Sequence, residues 1–272
     1  MCRSISMHCE IALTTDVFPE MENRKQVMFD EVARTYIDAT QFPLTDVIAR
    51  QQDRIILSEM SWGVMPLFEK DRDKIVARRM DMVNARAERV LDENAYWFKA
   101  GLVRQPVLVP VTNIFEYRHI HGWSNKVPYA IRTNQQPALH PFYIPGMYQL
   151  HQEFDAKGQL TEVGSFTIIT TAANEVMRQI HNGGNNPHRM PLFLPLDMAK
   201  QWISPKRTKG DVKEILNYSM PAEELSYHTV FTLNGKKSRP DGQPKDAYWE
   251  WPNLPALGND YPKGSASQTS LF

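Results

Sequence analysis

The sequence predicts strands and helices mixed within one large domain, and three observations carry that prediction. Residues 166–171, FTIITT, are β-branched, apolar and uninterrupted, the plainest strand signal in the chain. Residues 106–118 are β-rich, with Pro106 and Pro110 marking edges or bends. Against these, Val27, Met28, Val32, Tyr36 and Ile37 form one apolar stripe at helical spacing, which predicts a helix over 22–39. At 272 residues the chain can bury a sizeable core, and 42% hydrophobic with 23% charged residues is ordinary for a soluble globular protein.

The remaining elements follow in order. Residues 1–10 read as a short strand that ties the N-terminus into the fold. Residues 54–59, RIILSE, read as a strand, followed by an aromatic and apolar loop over 61–68. Residues 69–79 are a solvated charged stretch. A helical pattern then runs through Val90, Leu91, Ala95, Trp97 and Phe98 to Gly101, with Asn84 as a plausible entry to it. Residues 127–133 are the next strand, and 134–160 read as a long irregular excursion. Asn174 caps a short helix over 175–181, 188–194 return to strand, and Asp197 caps a helix carrying Met198, Trp202 and Ile203. Beyond it the order thins into basic loops at 206–209 and 236–239. The domain is placed at 1–250, with 251–272 as a flexible Pro/Gly/Ser-rich tail.

Composition narrows the function classes. Lys+Arg equals Asp+Glu, so bulk charge does not announce a nucleic-acid partner; one would need a narrow basic cleft. Two cysteines, Cys2 and Cys9, point to a reducing cytoplasm rather than a disulfide framework. No signal peptide and no membrane span are expected.

Cys2 carries the most specific chemistry. If Met1 is removed, Cys2 offers an α-amine and a thiol on adjacent carbons. Such a 1,2-aminothiol condenses with an aldehyde to an imine, and the thiol then closes a five-membered thiazolidine. Glu116 lies between Phe115 and Tyr117 in a strand; facing inward, it needs a partner or its pKa rises. His181 shares a helix face with Met177 and ends that helix, where the dipole favours its charged form.

Met1-Cys2, Trp62-Gly63-x-x-Pro66, Asn84-Ala85-Arg86-Ala87-Glu88, Phe115-Glu116-Tyr117, and Ile180-His181 before Arg189-Met190-Pro191 occur in this order. The series resembles the SRAP family, the SOS response-associated peptidases, over roughly residues 1–230. The resemblance implies a compact α+β domain with curved, barrel-like antiparallel sheets and peripheral helices. It implies a DNA–protein crosslinking activity with peptidase- or lyase-like processing chemistry: the mature N-terminal Cys forms a thiazolidine with the opened abasic sugar in single-stranded DNA. In that scheme Cys2 is the nucleophile, Asn84 holds it, Glu116 and His181 are catalytic, and Arg3, Trp62, Arg86 and Arg189 face the DNA. Two departures stand out. Met-Cys-Arg-Ser replaces the common Met-Cys-Gly-Arg, and Asn182 to His188 separate His181 from Arg189, which makes His188 a rival. Neither a cofactor nor a metal is called for, and a monomer is expected. The alternatives are a thiol (auto)peptidase using Cys2 with Glu116 and His181, and a non-enzymatic single-strand binder.

The last residues read Gln268-Thr269-Ser270-Leu271-Phe272. Gln-x-x-Leu-Phe resembles the peptide by which bacterial proteins dock on the polymerase sliding clamp, with Gln268, Leu271 and Phe272 as the anchors. Deleting residues 268–272 is expected to abolish clamp binding in a surface-capture assay; unchanged binding removes the assignment.

Overall fold

The computed structural model describes residues 2–7, 11–24, 34–137, 140–233 and 239–261. Its strands are β1 (Ser4–Met7), β2 (Glu22–Asn23), β3 (Arg34–Asp38), β4 (Leu44–Gln51), β5 (Arg54–Trp62), β6 (Asn84–Arg86), β7 (Pro106–Val111), β8 (Asn113–Arg118), β9 (Val127–Thr133), β10 (Phe142–Phe154), β11 (Leu160–Ala172), β12 (Arg189–Pro191) and β13 (Leu225–Thr229). The helices α1 (Ile11–Val17), α2 (Arg72–Asp81), α3 (Ala87–Val90), α4 (Tyr96–Lys99), α5 (Glu175–Ile180), α6 (Leu196–Ile203) and α7 (Lys209–Asn217) are short. None among the described residues is long and apolar enough to cross a membrane.

Five strands close into a barrel. Antiparallel pairing runs β11–β10–β7–β4–β5, and a parallel contact of Ser165 and Phe166 with Ser61 and Trp62 joins β5 back to β11. Closure removes the open edges that a sheet of this size would expose. A second sheet, ordered β13–β9–β8–β1–β3, stands beside it. The chain crosses from barrel to second sheet between β7 and β8, where the Thr112 N–H donates to Ser6 O at 2.9 Å. The fold is thus the α+β, barrel-containing class that the resemblance implied.

Several elements differ from expectation. The helix expected over 22–39 is strand at Glu22–Asn23 and Arg34–Asp38, and residues 25–33 lie outside the described residues. Pairing of Ile37 with Ile5 uses the same apolar residues at strand period. The excursion expected at 134–160 is mostly β10, hairpinned onto β11 with Phe154 opposite Leu160. Three of its aromatic residues, Phe142, Tyr143 and Tyr148, are buried, while Phe154 at its far end is exposed. The charged stretch at 69–79 forms most of α2, capped by Asp71. The single helix expected from 84 to 101 is two short ones, and Asn84 belongs to β6 instead of capping a helix. Pro195, not Asp197, precedes α6. Order does not thin after it: a capping box of Thr208 and Asp211 starts α7. Residues 251–261, expected as tail, pack on the body through Trp251, Leu254 and Leu257. Gln268, Leu271 and Phe272 lie outside the described residues.

The barrel depends on close backbone approach at Gly146. A Cβ there would meet Thr167 O at 2.2 Å and Val107 Cγ1 at 2.9 Å. Trp202 Nε1 donates to both Val107 O and Gly146 O at 3.1 Å and fixes the same spot from outside. Gly146→Ala is therefore expected to cost on the order of 2–3 kcal/mol through overpacking against backbone, read as a lowered urea midpoint.

Candidate functional site

Cys2 lies two residues ahead of β1, the strand held between β3 and β8. It is wholly buried, and its Sγ donates weakly to Ser4 O at 3.7 Å. Burial first, then the Glu116 charge, raises its thiol pKa well above the ordinary range. Asn84 reaches across from β6, in the barrel, and its Nδ2 donates to Cys2 O at 2.9 Å. Strand alternation explains the Asn-Ala-Arg order. Asn84 and Arg86 share one face of β6, while Ala85 turns the other way, into the apolar cluster that α6 and α7 cover.

Glu116 comes from β8. Register pairs Ile5 with Ile114 and Ser4 with Phe115, so the next step sets Arg3 opposite Glu116. The carboxyl is 4% exposed, and its Oε1 has no hydrogen-bond partner among the described residues. Burial raises its pKa from 4.5 to about 7, with Arg3 working against the shift. His181 ends α5, which packs on β8. Its Nδ1 lies 2.7 Å from Arg189 O and 3.2 Å from the Arg189 N–H, and the shorter contact, to a carbonyl that can only accept, favours the proton on Nδ1; Nε2 stands 3.9 Å from Glu116 Oε2. Burial pushes His181 down to about 4, with His188 and His119 adding in the same direction. The helix terminus was expected to favour the charged imidazole; burial outweighs it.

The 3.9 Å gap is too long for a hydrogen bond. One oxygen about 2.8 Å from each atom would bridge it. A cavity of about 350 Å³ opens over the pair, lined also by Arg3, His119, Lys126 and the turn of residues 183–186. Cys2 does not line this cavity; it lies beneath, in the core.

The structure brings together Cys2, Asn84, Glu116, His181 and Arg3. The other residues named for DNA contact are placed differently. Trp62 is fully buried, stacks on Phe166 at 6.0 Å and donates to Val83 O, so it offers no face; the exposed ring of that loop is Phe68. Arg189 is engaged by both Glu88 oxygens, at 2.6 and 3.0 Å, and by Thr170 O. Arg86 is exposed and donates to Asn186 Oδ1 at 2.7 Å. His188 is exposed, at φ +59°, with Nδ1 3.2 Å from Arg178 O, away from Glu116's partner position. His119 and Lys126 were not anticipated. They sit at the mouth of the β8–β9 hairpin, and no sequence pattern separates them from ordinary loop residues.

A barrel with a second sheet, a Cys ahead of its inner strand, and a buried Glu–His pair beside that Cys define one class. The chain belongs to the family described as SOS response associated peptidase (SRAP), whose model matches residues 1–236. It is 31% identical over 180 residues to "Abasic site processing protein YoaM" of Bacillus subtilis (strain 168), covering 65% of this chain and 69% of that protein. It is 28% identical over 177 residues to "Abasic site processing protein YoqW" of the same organism, covering 65% and 70%. A crystal structure of a Bacteroides thetaiotaomicron protein superposes with a TM-score of 0.72 at 23% identity, over 90% of this chain and 98% of that one. A Bordetella bronchiseptica protein gives 0.63 at 19%, over 85% and 100%.

The Glu116 shift has a consequence for stability. A folded-state value above the unfolded 4.5 means that the native state holds this proton more tightly. The stability it contributes is complete below pH 4.5 and lost as pH rises through about 7. Glu116→Gln, a neutral isostere, is therefore expected to be more stable than the parent at pH 8, by at most about 3 kcal/mol. The difference should close near pH 4.5, read by urea unfolding at both values.

Proposed function

We propose that this protein processes abasic sites in single-stranded DNA by crosslinking to them through Cys2 after Met1 is removed. The observation that carries the reading is the placement of a buried Glu116–His181 pair, under a sugar-sized cavity, next to a Cys whose carbonyl is tethered by Asn84. The names of the two Bacillus relatives support the same substrate.

The steps balance as a condensation. The freed α-amine attacks C1′ of the ring-opened aldehyde to give a carbinolamine. Loss of one water gives the iminium, and the thiol adds to the same carbon, closing the thiazolidine and releasing its proton. An α-amine titrates near 7.7–8.0, so a nearby acceptor raises the reactive fraction. Glu116, balanced near pH 7, accepts that proton and returns it to the departing water. His181 is neutral at that pH, and with its proton on Nδ1 the Nε2 accepts a hydrogen bond from a sugar hydroxyl instead of donating a proton. Glu116 Oε2 and His181 Nε2 then hold one substrate oxygen between them. Arg3 and Lys126 meet the flanking phosphates, and Arg86 joins them on leaving Asn186. Closure of the ring at C1′ removes the iminium that would otherwise lose a 2′ proton and break the strand.

The test is incubation with abasic single-stranded DNA. A heat-stable adduct is expected at the combined mass minus one Met residue and one water, absent in Cys2→Ala. Glu116→Gln and His181→Ala are each expected to slow its formation on the order of 10²-fold, with His188→Ala within about twofold because it faces Arg178. Retained Met1 in the adduct overturns the reading. Turnover of unrelated peptides without adduct supports the peptidase instead.

A further inference from the structure

The segment beyond residue 236, where the family match ends, does more than cover the second sheet. Asp246 and Trp249 first tie it along the sheet: Asp246 O receives His228 Nε2 at 2.8 Å, and the Trp249 N–H donates to Thr229 O at 2.8 Å. Trp251 Nε1 donates to Val230 O at 2.9 Å. The chain then runs to Arg118, the last residue of β8, which is 0% exposed. Three acceptors from the segment surround that guanidinium: Asp260 Oδ1 at 2.6 Å, Pro255 O at 2.8 Å and Ala256 O at 2.7 Å.

Arg118 lies two residues beyond Glu116, on the same face of β8. Its charge is spent on the segment and not on the site. Directly after it comes the 119–126 loop, which supplies His119 and Lys126 to the cavity. The segment holds that loop as well. The His121 N–H donates to Asp260 O at 2.8 Å, the Tyr261 ring lies over His121 at 5.3 Å, and Trp251 meets Trp123 at 6.4 Å. Gly258, at φ +84°, lies against Gln179 of α5, the helix that ends at His181.

We propose that residues 251–261 form a strap that positions the cation-bearing wall of the cavity, with Asp260 acting as a positioning residue through Arg118 and His121. Its role for DNA rests on the abasic-site reading above; its hold on the 119–126 loop does not. The strap governs how well the wall meets the sugar–phosphate backbone. It leaves the chemical step alone, because Cys2, Asn84 and Glu116 are set by strand pairing and the Asn84 bond.

The test uses full-length Asp260→Asn, Asp260→Glu and the double variant Arg118→Met/Asp260→Asn. The last leaves no unpaired buried charge and so keeps the experiment informative if Asp260→Asn folds poorly. Hydrogen exchange over 119–126 is expected to quicken about tenfold or more in Asp260→Asn and the double variant, with barrel strands unchanged. In single-turnover adduct formation the half-saturating DNA concentration should rise roughly tenfold while the limiting rate stays within about twofold. Asp260→Glu should restore both. Unchanged exchange at 119–126, or an increase spread evenly over the barrel, overturns the strap, and so does a fall in limiting rate at unchanged half-saturation. If the parent forms no adduct, the abasic reading falls, and the exchange result still decides the strap.

Discussion

The bond from Asn84 Nδ2 to Cys2 O joins two sheets that otherwise meet mainly through side chains. Asn84 stands on β6, locked by parallel pairing with Ile168 of the barrel. Cys2 lies two residues ahead of β1, which is locked by pairing with β8 and β3 from Ser4 onward. A neutral hydrogen bond of this kind contributes only about 1 kcal/mol net, so it is not what holds the protein together. Its effect is positional. It fixes the carbonyl of the residue that leads into the buried strand, and with it the direction in which that residue's nitrogen leaves. A terminal residue without such a tether would fray. The cavity, Glu116 and His181 have meaning for chemistry only relative to that nitrogen.

Burial then decides the charge of the pair. A helix as short as α5 offers a cation at its C-terminus about 0.3–1 kcal/mol. Burial pushes His181 from 6.5 to about 4, an effect of about 3 kcal/mol, and so the imidazole is neutral. The same burial lifts Glu116 to about 7. Two groups that would form an ion pair in water face one another near neutrality as a neutral imidazole and a carboxyl that is half protonated. Burial disfavours the charged form of each, so the two do not lock into a salt bridge.

What the sequence made legible is what depends on local pattern or on side-chain chemistry. The strands at 54–59, 106–118, 127–133 and 166–171 carry β-branched runs, and all of them form. The Asn174 cap is visible because its side chain accepts the Met177 N–H at 3.0 Å, three residues on. Cys2, Asn84, Glu116 and His181 stand out in the sequence through the order of short motifs, and in the fold they lie near one another. Failures have a common cause: tertiary pairing overrode local periodicity. Tyr36 and Ile37 fit a helix stripe or a strand equally well until β1 offers its edge. Asn84 looks like a cap until β11 offers a parallel partner. Trp62 next to a glycine suggests an exposed loop, but burial of its whole surface against Phe166 outweighs the turn signal. Lys126 and His119 gain meaning only from the neighbours that folding brings to them.

The seven residues from Asn182 to His188 show why an insertion beside a site need not disturb it. The His188 N–H donates to His181 O at 2.8 Å, and the Ala173 N–H donates to His188 O at 3.0 Å. These bonds close the neck of the loop and hold its two ends together. His188 takes φ +59° to make that neck, an uncommon conformation for a non-glycine residue that histidine tolerates better than most. Arg189 O then reaches His181 Nδ1 at 2.7 Å, and the imidazole keeps its orientation toward Glu116. The body of the loop lines the cavity, and there Gly183 passes so close to the His119 ring that a Cβ would come within 2.6 Å of it. The histidine that takes the positive φ faces solvent, the other faces Glu116, and this difference in placement is one that no spacing in the sequence could express.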